Sequence, residues 1–189
     1  MLIRSIMVGM LIGVLGFVGS LVIVKSYEPQ FLSIPKPIVH HVDTDEISRH
    51  LWKKFAANRL KAELNCLADN VYREAEFESE EGQKAVATVT LNRVHDPVYP
   101  GTICGVVYER HYVHHKIVCQ FSWTCKPRHK VNRRLYQKAR AVARVVLLKH
   151  QTLADLNGVT LYHASYVHPD WADRTEKVEE IGNHVFYRE

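Results

Sequence analysis

The sequence predicts an α+β domain carried behind a membrane-spanning helix. Three observations predict it. Apolar residues recur at helical spacing in successive stretches up to Lys149. Short apolar runs separated by turn residues follow and end the chain, as small antiparallel strands do. Residues 5–24, SIMVGMLIGVLGFVGSLVIV, contain no charge at all.

That first segment, about 20 residues long, matches what a helix needs to cross a hydrocarbon core of ~30 Å. Arg4 and Lys25 bracket it. A signal peptide is the competing reading, but its apolar core is shorter and ends in a small-residue cleavage site, and KSYEPQF after Val24 offers none. Residues 1–25 are therefore expected to be an uncleaved anchor. Gly9 and Gly13 stand four apart, as ordinary membrane-helix glycines or as a close-packing face for a homodimer.

Residues 26–60 read as a tether followed by an amphipathic helix. Pro29, Pro35 and Pro37 favour extended chain. Thr44 or Asp45 then caps a helix starting near Glu46. Its stripe is Ile47, Leu51 and Phe55, and its basic side carries Arg49, Lys53, Lys54 and Arg59. This helix fits a membrane surface or the face of the domain equally.

Residues 61–189 form the expected catalytic domain. A helix over 62–76 has the stripe Leu67, Ala68, Val71, Tyr72 and Ala75, with Glu74 at its edge. A carboxyl in that position is partly desolvated, so its pKa should rise, and Glu78 one turn on pushes it the same way. An acid that keeps its proton near neutrality can protonate a leaving oxygen. Ser79 caps the next helix, which carries Ala85, Val86, Val89 and Val94 as its buried stripe and ends in the proline-containing stretch after His95. Thr102 caps a short helix through Tyr108. A loop and a strand at 117–123 follow. Asn132 opens a helix to Lys149 with Leu135, Ala139, Val142, Ala143 and Val146 inside. Strands are expected at 159–164, 177–181 and 184–187, the last two joined through Gly182-Asn183.

Composition limits the function classes. Hydrophobic content of 47% and charged content of 24% over 189 residues describe a folded protein, not a disordered one. The formal charge of +5 favours polyanions without choosing among nucleic acid, anionic lipid and wall polymer. The run Lys126, Arg128, Lys130, Arg133 and Arg134 has no nucleic-acid-binding motif around it, so no nucleic acid partner is expected. Cys66, Cys104, Cys119 and Cys125 all follow the anchor, and an even count in an exported domain suggests up to two disulfides. Cys119 and Cys125 are plausible partners across a short loop; three pairings remain open. No pair has zinc-ribbon spacing and no H-E-x-x-H is present, so neither a metal nor another cofactor is expected.

Several blocks in one order carry a family likeness: LADNVYREA, EEGQKAVATVTLNRV, YPGTICGVVYE, CQFSW, LYHASYVHPDWA and IGNHVFYRE. Together they resemble the SleB/CwlJ-type cell-wall hydrolases, relatives of the spore-cortex-lytic enzymes, from about Leu64 to Glu189. The resemblance implies a lysozyme-like α+β fold and a peptidoglycan glycan-strand substrate. It puts the catalytic glutamate at Glu74, acting as a lytic transglycosylase on the bond between N-acetylmuramic acid and N-acetylglucosamine. An amidase or a hydrolytic muramidase is the enzymatic alternative, and a silent wall-binding or lysis-accessory protein the non-enzymatic one. Glu78, Phe121, Ser122, Tyr162, His163, Trp171, His184 and Tyr187 fall in the same blocks and are the expected substrate contacts, since aromatic faces suit sugar rings and polar tips suit their hydroxyls. A wall substrate places the domain outside the cytoplasm.

Overall fold

The computed structural model describes residues 44–127 and 130–189. The expected membrane segment, its glycine face and the tether up to residue 43 lie outside them. Among the described residues no helix is long and apolar enough to cross a membrane.

The first element, α1, runs Thr44–Ala75 without interruption for 32 residues. Two separate helices were expected there. They merge because residues 56–63, AANRLKAE, hold neither glycine nor proline and consist mostly of good helix formers. The two halves differ sharply in environment. Residues 44–62 are exposed throughout, whereas Leu64, Leu67, Ala68, Val71, Tyr72 and Ala75 are buried. Packing of the first half on the domain, one of the two expected arrangements, does not occur.

Against the buried half lie α2 (Glu80–His95), α3 (Ile103–Val107) and α4 (Arg133–Lys149). Each begins at the cap its sequence offers. The Ser79 side chain accepts from Gly82 N at 3.1 Å, and Thr102 from Gly105 N at 3.0 Å. Asn132 Oδ1 accepts from Arg134 N and Leu135 N, satisfying two donors of the first helical turn. α2 stops at Asp96, which is extended because Pro97 follows it. The principal core, including Leu67, Val71, Val106, Val107, Phe121, Val142 and Val146, fills the space between these helices.

Two small antiparallel sheets complete the α+β fold. β1 (Arg110–Val113), where a loop was expected, forms a hairpin with β2 (Lys116–Cys119), which takes up the start of the strand expected at 117–123. Its turn residues His114 and His115 have positive φ, 45° and 62°, so the usual Asn-Gly signature is missing. The strand expected through Trp123 ends at Cys119. Ser122–Cys125 is instead a 3-10 turn, drawn round by the Cys119–Cys125 disulfide and by Thr124 donating to Phe121 O. The second sheet has the order β3 (Leu161–Ala164), β5 (His184–Arg188), β4 (Glu176–Ile181). Ala85, Val89, Leu156, Val159 and Phe186 pack together where it meets α2.

Side chains of α2 fix where β3 runs. Asn92 Nδ2 donates to Leu156 O at 2.7 Å and Val159 O at 2.8 Å, and Arg93 Nε donates to Thr160 O at 2.7 Å. These carbonyls lie on the chain entering β3. Buried carbonyls left unpaired would each cost about 1–3 kcal/mol, so the entry to β3 is strongly specified.

Both disulfides form, Cys66–Cys104 joining α1 to α3 and Cys119–Cys125 closing the hairpin's exit. Their sequence separations are 38 and 6. In the chain-entropy account, replacing Cys66 and Cys104 by Ala together should cost about 4 kcal/mol, and replacing Cys119 and Cys125 about 2 kcal/mol. Urea unfolding of the two double variants measures both. Equal losses would contradict the loop-length account.

Candidate functional site

Helix α1 delivers Glu74 to the wall of a cleft of about 800 Å³. The stripe behind it explains the position. Val71, Tyr72 and Ala75 are buried, and Glu74 between them emerges half-covered at the rim. Strand β3 faces it from the other side. The Tyr162 hydroxyl donates to Glu74 Oε2 at 3.2 Å. Burial raises the carboxyl of Glu74 above its ordinary 4.5, and it is the largest influence; the Tyr162 bond and the charges of Arg93 and Lys126 pull the other way. Burial next to Glu74 also lifts the Tyr162 phenol well above 10, so it remains a neutral donor.

Arg93 stands behind this pair. It is buried, and its guanidinium lies 5.2 Å from the Phe121 ring, 5.5 Å from Tyr99 and 5.9 Å from Tyr162. Nη1 makes no hydrogen bond among the described residues. A cation held by ring faces in low dielectric offers Glu74 a positive field without forming an ion pair with it. That field limits how far burial can push the acid.

The sheet contributes two histidines. His184 on β5 lies edge-on to Tyr162 at 5.3 Å. Burial lowers its pKa, although Glu78 opposes the effect, so near neutrality it is an uncharged ring. His163 Nδ1 lies 2.9 Å from Ala164 O and Nε2 2.9 Å from the Tyr187 hydroxyl. A carbonyl can only accept, so Nδ1 carries the proton and Tyr187 donates to Nε2.

The opposite stretch of the cleft is aromatic and polar. Trp123 Nε1 donates to Asn70 Oδ1 at 3.2 Å, and Asn70 in turn donates to Thr90 at 3.0 Å, so a buried amide on α1 sets the indole. Asp69, one wall further along α1, accepts from the hydroxyls of Tyr108 at 3.2 Å and Tyr136 at 2.9 Å. Burial and Asp69 push the Tyr136 phenol up to about 12. Arg73, Lys126 and Lys130 add positive charge at the rim, and Tyr166 stands there almost fully exposed. The cleft thus offers ring faces, hydroxyls and charges of both signs around one desolvated acid. Among the described residues no group of three His, Cys, Asp or Glu is arranged to hold a metal ion.

A family model described as cell wall hydrolase matches residues 77–187. The chain belongs to the cell wall hydrolase family. Glu74 lies just before the matched segment, so its role rests on the geometry above. Among curated proteins, the spore cortex-lytic enzyme of Bacillus subtilis (strain 168) is 29% identical over 129 residues, which cover 66% of this chain and 37% of that protein. The spore cortex-lytic enzyme of Oceanobacillus iheyensis is 30% identical over 129 residues, covering 66% of this chain and 41% of that protein. The chain therefore spans about two fifths of the length of these relatives. The crystal structure of the catalytic domain of the Bacillus cereus SleB protein aligns with TM-score 0.49 and 22% identity, covering 68% of this chain and 91% of that one.

The cell wall hydrolase cleft gathers five of the residues expected at the site: Glu74, Ser122, Tyr162, His163 and His184. Glu78, Phe121, Trp171 and Tyr187 are not on its wall. Glu78 accepts from Asn183 Nδ2 at 2.9 Å and backbone N at 3.4 Å, pinning the β4–β5 turn. Gly182 in that turn has φ +59°, and a Cβ there would collide with the Glu78 carboxylate. Phe121 is buried in the main core. Trp171 and Tyr187 back His163 from the outer face of the sheet. Asp69, Tyr108, Tyr136 and Tyr166 are among the wall residues that the sequence did not single out. Asp69 sits in the same LADNVYREA block as Glu74, the one signal that could have drawn attention to it.

Two outcomes test this electrostatic arrangement. Glu74 holds its proton more tightly folded than unfolded, so its burial costs nothing below pH 4.5 and increasingly more as pH rises through the folded value. Glu74→Gln should therefore melt higher than the parent near neutrality, with the gap closing by pH 4; calorimetry across that range reads it. Tyr162→Phe keeps the ring and removes the bond favouring the carboxylate. The basic limb of its rate–pH profile should move to higher pH, with kcat lowered about tenfold. A limb moving to lower pH would contradict the assignment.

Proposed function

We propose that this protein cleaves peptidoglycan glycan strands as a lytic transglycosylase, with Glu74 as its single acid and then base. The observation that carries this is a desolvated carboxyl opening into a ring-lined cleft under a phenol that donates to it. Membership of the cell wall hydrolase family and the name spore cortex-lytic enzyme borne by its relatives support the substrate class.

Protonated Glu74 gives its proton to the oxygen linking C1 of N-acetylmuramic acid to C4 of N-acetylglucosamine. The C1–O bond breaks, and positive charge develops at C1. Glu74, now a carboxylate held by the Tyr162 hydroxyl, removes the proton from the muramic C6 hydroxyl. The C6 oxygen closes on C1 and leaves a 1,6-anhydro ring. Proton and bonds balance without water, and Glu74 ends as it began. A hydrolase with paired carboxylates needs a second acid across the bond. Asp69 is the specific observation favouring that second reading, but both its oxygens are already engaged by phenols. Trp123, Tyr162 and Tyr166 are suited to sugar faces. The lysozyme-like arrangement implied by the family blocks agrees with an active acid at a helix end. In this reading residues 5–24 hold the protein to a membrane with the cleft outside the cytoplasm.

Glu74→Gln preserves shape and removes the proton, so release of fragments from purified sacculi should fall at least hundredfold. Mass spectrometry of the parent's products should find 1,6-anhydromuramic ends. New reducing ends would replace this reading with a muramidase, free stem peptides with an amidase. An unchanged rate would remove Glu74 from the chemistry.

A further inference from the structure

The exposed half of α1 is a surface that the cleft does not explain. Ile47, Leu51, Trp52 and Phe55 are 47%, 59%, 70% and 59% exposed. At 100° per residue they fall within an arc of about 140°, an apolar stripe on one side of the helix in which Ser48 and Asn58 are the uncharged polar residues. Trp52 and Phe55 contact each other edge to face, with ring centroids 6.0 Å apart. Lys54 and Lys61 border the stripe on one side and Arg49 on the other, while Lys53 lies opposite and Arg59 falls within it. In residues 44–62 these five cations face only two acids, Asp45 and Glu46.

We propose that this stripe docks on the surface of an anionic phospholipid bilayer, with α1 lying in the interfacial plane. Charge complementarity favours that occupant: cations flanking an apolar arc can snorkel to lipid phosphates while the ring side chains enter the acyl boundary. Trp52 suits that boundary, having an apolar body and one donor. Chain length permits it as well. Nineteen residues, 25–43, separate the uncharged segment 5–24 from α1, enough to reach about 60 Å when extended. A second copy of the helix is a poorer occupant. In a heptad counted from Ile47, the following equivalent positions are Lys54 and Lys61, and the seam that would bury them is charged.

The docking would also set the enzyme's orientation. α1 continues unbroken to Ala75, so the stripe and Glu74 belong to one rigid rod. A helix lying flat at its first half holds the cleft beside the bilayer and directs it to the membrane-proximal layer of the wall. The inference goes beyond the proposed chemistry and is separable from it.

All four cysteines are in disulfides, so one added cysteine takes a dye alone. An environment-sensitive fluorophore is placed on Phe55→Cys in the full chain, and on Ala57→Cys at the same depth along α1 but the opposite face. The full chain is added to phosphatidylcholine vesicles with and without phosphatidylglycerol. With the anionic lipid, the dye at position 55 should brighten severalfold and shift to the blue while the dye at 57 stays in water. Lys54→Glu with Lys61→Glu, the two lysines that border the stripe, should lower that response about tenfold at a given lipid concentration. No response at 55, or the same response at 55 and 57, overturns the proposal. So does a response that follows protein concentration without lipid, which would assign the stripe to a second copy. Cleavage of purified sacculi by the same labelled proteins is read separately, because neither position lies on the cleft wall.

Discussion

A single hydrogen bond, from the Tyr162 hydroxyl to Glu74 Oε2, joins the helical layer to the sheet at the point where chemistry is proposed. The bond solves a conflict. Glu74 must lose enough water to keep its proton, yet a carboxylate with no partner in such a place would be too costly to use. Tyr162 supplies one donor for the ionised state without contributing a charge. Arg93 supplies a diffuse field from behind its ring. Everything else in the domain can be understood as holding those three groups in register.

That register depends on α2. Asn92 and Arg93 are neighbours on one helix turn and grip Leu156, Val159 and Thr160 through their carbonyls. The chain is thereby set before β3 begins, and β3 then places Tyr162 inward and His163 on the other face, against Trp171 and Tyr187. β5 locks β3 from the other edge, pairing Tyr162 with Phe186 and Ala164 with His184. Glu78, close in sequence to Glu74, contributes from outside the cleft by pinning the turn that leads into β5. Expected at the substrate, Glu78 lies off the cleft wall and holds this turn instead.

The helix starts at Ser79, Thr102 and Asn132 were legible because a cap is a local event: one side chain satisfies donors two or three residues away. The Glu74 stripe was legible for the same reason, since burial on one face of a helix is written at a fixed period. What escaped depends on partners distant along the chain. Arg93 reads as the basic end of a helix and becomes a buried cation only because Tyr99, Phe121 and Tyr162 converge on it. Asp69 reads as a helix-surface acid until Tyr108 and Tyr136 reach it from two other segments. The β1–β2 hairpin was missed because two histidines adopt the left-handed turn that Asn-Gly normally marks. The continuity of α1 was missed for a different reason: an environment that changes halfway along a helix changes the hydrophobic pattern without breaking the backbone.

The central claim is that Glu74 is an acid kept protonated by its surroundings, and a carboxyl carbon reports this directly. In ¹³C-glutamate-labelled protein, the Glu74 side-chain carboxyl resonance, identified by its absence in Glu74→Gln, can be followed against pH by NMR. The account predicts a titration midpoint above the ordinary 4.5. A midpoint at or below that value would mean that burial does not dominate at Glu74 and would contradict its assignment as the proton donor.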